Sequence, residues 1–260
     1  ADISDGDILG TVLARLVADL GENRRRFLDW GLFHVERQLG DEGFLAVWRR
    51  HARALKQRNA LLRQRAEGGQ LDAWEHELAQ AGEALTRCRE RYVAQLAPYV
   101  EASIADLLPA AGGAGIALHP GWRRQELSLA DALLLDRDRD RLLGHTGLGP
   151  HRADLKLTLA ALPGREGLSR GQAKLAALAL LLAQARHLAQ LEGHWPLLQL
   201  DDLASELDRT HQAGVLRALA ESGAQILVTG TEAPPGLSLV HVPVAVFHVE
   251  HGCVAAVGGG

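Results

Sequence analysis

The chain is poor in the features that mark several protein classes. Its two cysteines, Cys88 and Cys253, lie far apart and show no metal-binding or redox spacing, which favours a reducing cytosol. No apolar run reaches the length of a membrane span, and the acidic N-terminus has the wrong sign for a secretory signal. We therefore expect a cytoplasmic protein with no membrane contact. Because the sequence begins at Ala1 rather than methionine, we also expect a fragment or a processed product.

A positive charge excess is also absent. The 28 basic and 32 acidic residues give a net charge of −4, so no global field attracts nucleic acid, and any DNA contact must be a local patch. The twelve histidines show none of the spacings of zinc enzymes, and no Ser/His/Asp arrangement is legible. With 47% hydrophobic and 23% charged residues in 260, the chain is globular and long enough for one large domain or two smaller ones.

A phosphate-binding P-loop is missing as well. The sequence contains no G-x-x-x-x-G-K-[ST] and no Gly-Lys pair anywhere. The glycine-rich residues 112–115 are not followed by the lysine and hydroxyl that such a loop needs. We interpret residues 110–120 as a linker or turn.

The stretch from residue 168 to 208 carries the chemistry that is present. Ser169 is placed to cap a long apolar helix, and Gly171 lets the backbone approach a ligand; a capped helix N-terminus is an anion site. An apolar strand, residues 197–200, then ends in Asp201 and Asp202, as strands beside a magnesium-bound nucleotide do. Ser-x-Leu-Asp, ending at Asp208, follows. Each feature alone is common, but their conjunction in this order within one αβ unit is a much stronger signal.

Residues 42–107 predict a helical hairpin. Two helices, about 42–65 and 71–107, flank a Gly-Gly turn, and Pro98 is expected to kink or interrupt the second. Residues 49–65 contain seven lysines or arginines and no acidic residue. Such a run is most often a solvated face; the alternative is a contact for a DNA backbone or a partner protein. The candidate contacts are Arg49, Arg50, Arg53, Lys56 and Arg58.

Further helices and strands complete the prediction. An N-terminal helix covers residues 8–20, and another covers 129–143, where alternating Asp and Arg at 136–141 suit an exposed, salt-bridged face. Strands at 154–159, 197–200 and 225–229 alternate with helices, which indicates an α/β fold with a parallel sheet and flanking helices. Residues 244–249 and 253–257 predict a terminal hairpin.

Residues 168–208 resemble the signature loop, Walker B strand and D-loop of ABC/SMC-type ATPases. Within that class, RRRFLDWGLFH at 24–34, LKQRN at 55–59 and GPHRADL at 149–155 resemble the bacterial RecF recombination and replication-repair family. The resemblance covers the chain from about Arg24 to its end. It implies the C-terminal part of an ATPase head plus an antiparallel helical arm, with the Walker A lobe of the family absent from this chain. The implied divisions are the arm at residues 24–110 and half of the ATPase head at residues 111–260. Residues 1–23 are predicted to be a poorly placed N-terminal helix, because the resemblance does not cover them.

The resemblance also implies roles for individual residues. Asp201 would hold Mg²⁺, through water, beside ATP, and Asp202 would be the catalytic base. Thr229 occupies the switch position, where many ABC ATPases have histidine, and a hydroxyl cannot shuttle charge as histidine does. Asp208 would belong to the D-loop. The signature, acting on a nucleotide held by a second subunit, would comprise Ser169, Arg170, Gly171 and Gln172.

RecF-like proteins bind ATP, form ATP-dependent homodimers, engage DNA at single-strand gaps and act with RecR and RecO to load RecA in recombinational repair. The same function is the expectation for the complete protein, whereas this chain alone is expected to be inactive without a P-loop. Two alternatives remain: a non-catalytic module that uses the arm only for DNA or protein contact, and a fragment of another SMC-like ATPase.

Overall fold

A computed structural model describes residues 21–35, 43–64, 68–162, 168–201, 207, 209–233, 237 and 241–257. Within these residues the helices are α1 (Gly21–Val35), α2 (Phe44–Gln64), α3 (Gly68–Leu107), α4 (Leu129–Leu135), α5 (Arg137–Leu143), α6 (Arg170–Glu192) and α7 (Arg209–Ala220). The strands are β1 (Ala114–His119), β2 (Asp154–Leu159), β3 (Leu198–Leu200), β4 (Ile226–Val228), β5 (Val246–Glu250) and β6 (Cys253–Val257). The predicted helix at residues 8–20 lies outside the described residues.

Helix α3 is the axis of the molecule. It is 40 residues long and continues through Pro98, so the predicted interruption does not occur. Helices α1, α2, α6 and α7 and strand β1 all pack against it. Helix α6 is enclosed by its neighbours, and almost all of its residues from Leu175 to Leu188 are buried. This burial accounts for its apolar character on nearly every side. The main core lies between α6, α1 and the C-terminal half of α3.

A second, smaller core lies where α2 and the first half of α3 form the antiparallel hairpin. Ala54 and Leu78, from the two helices, pack with Leu129 and Leu133 of α4 and with Trp122. Ser128 caps α4, and its Oγ accepts a hydrogen bond from the Asp131 N–H at 3.1 Å. The region that follows β1 therefore packs on the hairpin, away from the main core.

The sheets differ in part from the prediction. Residues 114–119, interpreted as linker, form β1, which pairs antiparallel with β2 from Ala114↔Leu159 to His119↔Asp154. Strand β2 was expected in a parallel sheet; among the described residues, parallel pairing joins β3 and β4 alone. The terminal hairpin is confirmed, with β5 and β6 paired around His251 and Gly252. Along the described parts of the chain, no helix combines the length and apolarity of a membrane span.

Two stretches that carry the family resemblance fold against each other. Arg24 makes a bidentate ion pair with Asp154, at 2.5 and 3.0 Å, and Arg25 donates to the Ala153 carbonyl at 2.7 Å. Asp29 accepts two hydrogen bonds from Arg89, both at 2.8 Å, and Arg89 also donates to the Pro150 carbonyl. These buried, charge-assisted bonds join α1, α3 and the start of β2.

Candidate nucleotide and nucleic-acid sites

The N-terminus of α6 is a complete capping box. The Ser169 Oγ accepts from the Gln172 N–H at 3.2 Å, and the Gln172 Oε1 accepts from the Ser169 N–H at 2.9 Å. Ser169 has extended backbone angles (φ −62°, ψ 159°), as a helix cap requires. The predicted cap is therefore present, and the helix begins at Arg170.

The same geometry leaves hydrogen-bond donors for a ligand. In any α-helix the N–H groups of the first turn lack an intrahelical partner. The capping box uses the Gln172 N–H, which leaves those of Arg170 and Gly171 available to a ligand. The Ser169 hydroxyl hydrogen is also available, because its oxygen acts as the acceptor in the box. A Cβ built at Gly171 would meet nothing within 4 Å, so no neighbouring group in the described structure requires glycine there.

Asp201 and Thr229 meet at the carboxyl ends of the two parallel strands. Asp201 follows β3, and Thr229 follows β4, where its N–H donates to the Leu200 carbonyl at 2.9 Å. The Thr229 hydroxyl donates to Asp201 Oδ1. Ligands of open parallel sheets bind at this edge. Asp201 and Thr229 are therefore positioned to contact such a ligand. Asp202 and Asp208, predicted as base and D-loop residues, lie outside the described residues.

The arm has an exposed basic stripe on α2. Arg49, Arg53, Lys56 and Arg63 are all exposed and are spaced by four, three and seven residues, which puts them on one face of the helix. Arg63 is an addition to the predicted candidates; its position seven residues after Lys56 was the signal in the sequence. Arg50, a predicted candidate, is half-buried and bound to Glu77 at 2.5 and 3.0 Å, which offsets its charge.

Arg58 does not belong to this surface, and its prediction as a DNA or partner contact is wrong. Its side chain is fully buried, pairing with Glu75 at 2.8 Å and Asp140 at 2.6 Å and donating to Thr146 Oγ1. It lies on the inner face of α2 because it follows Lys56 by two residues, about half a helical turn. Asp140 is buried by the same contact, so the expectation that residues 136–141 form an exposed face also fails at Asp140.

Two histidines lie beside each other, His51, which is buried on α2, and His151, which is half-buried. Their ring centroids are 6.3 Å apart, and among the described residues neither His51 Nε2 nor His151 Nδ1 has a hydrogen-bond partner. Burial, together with the neighbouring His151 and Arg89, lowers the pKa of His51 to about 3. Burial also lowers the pKa of His151 to about 4, although its bond to the Thr146 carbonyl opposes the shift. Both rings are therefore neutral at pH 7.

The chain is similar to proteins named DNA replication and repair protein RecF. It is 57% identical to that of Stenotrophomonas maltophilia (strain R551-3), over 93% of this chain and 65% of the relative. It is 56% identical to that of Xanthomonas euvesicatoria pv. vesicatoria (strain 85-10), over 91% and 63%. With that of Chromohalobacter salexigens the identity is 42%, over 92% and 65%. The chain thus spans slightly less than two thirds of these relatives' length. No protein-family model matches it.

Solved structures share the fold. A structure of the recombination mediator protein RecF with ATP, in the RecFOR pathway, matches with a TM-score of 0.73 at 22% identity, covering 98% of this chain and 70% of the solved one. The fold, with its capped helix and carboxylate-ended parallel strand, is that of an ABC/SMC-type ATPase head. The high identity to the named relatives then defines the family: the chain belongs to the RecF family of DNA replication and repair proteins.

Proposed function

We propose that this chain is the signature and Walker B part of a RecF-type ATPase, with residues 24–110 as the arm and 111–260 as half of the head. Together with the region that the longer relatives have in addition, it would bind ATP and dimerise around it on DNA at single-strand gaps. It would act there with RecO and RecR to load RecA. The observation that supports this proposal most is the capped α6 N-terminus in the same unit as the Asp201–Thr229 pair.

Ser169, Arg170 and Gly171 would form the surface that contacts the γ-phosphate of a nucleotide held by a second copy. The donors at the α6 N-terminus suit an anion, and the helix dipole adds a favourable partial charge. No atom of the described residues lies within 4 Å of a Cβ built at Gly171, which suits a close approach by that nucleotide. Gln172 supports the arrangement by holding Ser169 in the capping box.

Asp201 and Thr229 would serve the nucleotide of the same subunit. An exposed carboxylate is a donor that suits Mg²⁺, and when bound the ion would neutralise charge that develops on the phosphates. Thr229 keeps Asp201 Oδ1 oriented, which we propose as its role in place of a switch histidine. Asp202 would take a proton from the attacking water, and Asp208 would contact the opposite subunit.

The test of the nucleotide site restores the additional region of the relatives by fusion or co-expression. Ser169→Arg should block ATP-dependent dimerisation, because it puts bulk where the γ-phosphate must approach, and should leave nucleotide binding by each subunit intact. Asp202→Asn should keep both and slow hydrolysis about 10²–10⁴-fold, the usual contribution of a general base. Sedimentation with MgATP and a phosphate-release assay distinguish the two results.

Ser128→Arg is the matched control for Ser169→Arg, because Ser128 caps α4 with the same kind of side-chain bond. It should cost comparable helix stability without affecting dimerisation. If Ser169→Arg and Asp202→Asn lose dimerisation and hydrolysis together while folded, the proposed division of roles is wrong.

We further propose that the basic stripe contacts the DNA backbone. Replacing Arg49, Lys56 and Arg63 by glutamine should weaken binding to all DNA sequences and reduce the salt dependence by roughly 0.9 unit of slope for each lost phosphate contact. Lys156→Gln removes one exposed cation from β2, outside the stripe, and is the control for the loss of a single surface charge. An unchanged slope in the triple variant would make the stripe a solvated face.

A further inference from the structure

The arm has a cavity beside the basic stripe. It lies between α2 and the start of α3 and has a volume of about 530 Å³, within the ~300–1,000 Å³ typical of small-ligand sites. Its lining residues are Arg49, Arg50, Arg53, Ala73, Trp74 and Glu77. Most of the exposed lining is apolar, and the charged groups stand around it.

The cavity is positively charged. Glu77 is neutralised by Arg50, through two hydrogen bonds of 2.5 and 3.0 Å, and that contact holds the pKa of Glu77 below its ordinary value. Three arginines and one glutamate therefore leave a net charge of about plus two, carried by Arg49 and Arg53. An anionic group is favoured at the entrance over a cationic one.

Trp74 supplies a flat apolar wall. The Arg53 guanidinium lies over the indole, 6.0 Å from the ring centroid. A planar group in van der Waals contact with both would need a separation of about 7 Å between them. Arg53 is exposed, so a small rotation of its flexible side chain provides the difference.

We propose that this cavity is a stacking site for one unpaired nucleotide of a single-stranded nucleic acid. The base would stack on the Trp74 indole, with the Arg53 guanidinium covering its other face. Its phosphate would bind Arg49, and the adjoining phosphates would follow the stripe toward Lys56 and Arg63. An indole with arginines suits this ligand because every base has a π-face and every phosphate a negative charge. The inference rests on the proposed DNA contact of the arm and names the form of DNA that the arm prefers.

The experiment measures binding of a fluorescently labelled oligothymidylate, and of a duplex of equal length, to the full chain by anisotropy. Trp74→Ala should weaken single-strand binding on the order of tenfold, because stacking of a base on an aromatic side chain is lost. Its salt dependence should stay unchanged, because stacking releases no counterions. Duplex binding should also be unchanged. Trp74→Phe should retain most of the affinity, since a ring remains.

Trp30→Ala is the control outside the cavity, since Trp30 is an exposed tryptophan on α1 whose ring lies tilted against His34, with centroids 4.3 Å apart. It should leave binding unchanged. A direct signal comes from indole fluorescence, because oligothymidylate should quench the wild-type chain and Trp30→Phe, and quench Trp74→Phe much less.

Three results overturn the inference, and they differ in what else they affect. If Trp74→Ala changes nothing while the Arg49, Lys56 and Arg63 triple variant weakens single strands and duplex alike, backbone contact stands and stacking fails. If neither variant matters, the proposed DNA contact of the arm fails as well. If a glutamate-rich peptide binds and Trp74→Ala removes only that binding, the cavity is a protein-docking site.

Discussion

Basic residues of α2 are exposed or buried according to the side of the helix that they occupy. Lys56 is exposed on the basic stripe, and Arg58, two residues later, is enclosed with Glu75, Asp140 and Thr146. Glu75 also binds Arg137, so the ion pairs join α2, α3 and α5. A buried guanidinium whose three nitrogens all donate hydrogen bonds fixes the position of three helices, although its net contribution to stability is small while it stays paired.

Removing one partner of this network should be costly. Arg58→Met leaves Asp140 buried without its cation and should lower the free energy of unfolding by about 3–5 kcal/mol. Urea denaturation measures the change. Lys56→Met, on the exposed face of the same helix, should shift stability by no more than about 0.5 kcal/mol. Equal effects of the two substitutions would contradict the structural role of Arg58.

The lowered pKa values of His51 and His151 make stability depend on pH. In the unfolded chain a histidine has a pKa of about 6.5, whereas burial holds the pKa of His51 at about 3. As pH falls below about 6.5 the unfolded chain binds a proton that the folded chain does not, so stability decreases until the folded pKa is reached. Each such histidine costs about 1.4 kcal/mol per pH unit in this window.

Urea denaturation at about pH 7 and about pH 5 should therefore show a loss of roughly 2 kcal/mol that depends on His51. His51→Leu should reduce this loss, because no titrating ring remains at that position. His241→Gln, at an exposed histidine, is the control and should leave the pH dependence unchanged. Parallel pH curves for wild type and His51→Leu would refute the assignment.

At the scale of elements, three helices meet at one glycine. Gly31 of α1 faces Tyr92 of α3 and Gln184 of α6, and the Gln184 amide donates to the Tyr92 hydroxyl at 2.8 Å and to the Phe27 carbonyl at 3.0 Å. A Cβ at Gly31 would lie 2.0 Å from Tyr92 Oη and 2.3 Å from Gln184 Nε2. The absence of a side chain at Gly31 therefore sets how closely α1 approaches the other two helices.

Gly31→Ala should consequently lower the free energy of unfolding by about 1–3 kcal/mol or more, because the three helices must separate. Gly171→Ala is the matched comparison, because its Cβ would meet no atom within 4 Å. It should be neutral or favourable by up to about 1 kcal/mol, since alanine favours helix over glycine. Thermal melting of the two variants tests the contrast, and a Gly31→Ala variant as stable as wild type would contradict the close packing.

Elements with local signals could be predicted from the sequence. Ser169 and Gly193 mark the ends of α6, and the polar–apolar alternation of residues 154–159 marks β2. Strand β1 was missed because alanine and glycine, as at Ala114 and Gly115, are depleted in strands, and because its pairing with β2 is a tertiary contact. The burial of Arg58 was missed because its partner Asp140 is 82 residues away, and the charge run alone does not show which face is enclosed.

At the scale of the whole molecule, the proposed signature and Walker B strand occur in a sequence that contains no P-loop motif. In P-loop ATPases the backbone N–H groups and lysine of that loop supply most contacts to the β- and γ-phosphates, and a signature helix contributes only across a dimer. These 260 residues alone should therefore bind MgATP weakly or not at all. Titration calorimetry tests this, with the fused or co-expressed complete head as the positive control. A micromolar affinity of the 260 residues would contradict the expectation.

The length of helix α3 allows motion at one end of the helix to be transmitted to the other. Its 40 residues correspond to a rod about 60 Å long at 1.5 Å per residue. The C-terminal half of α3 packs against α6, which begins directly after Ser169. The N-terminal half of α3 carries Trp74. A tilt of about 5° at the C-terminal half would displace the far end by about 3 Å over roughly 40 Å of rod. If the proposed dimerisation reorients α6, that change would thus reach the N-terminal half of α3 as motion of a solid body, without unfolding any segment between.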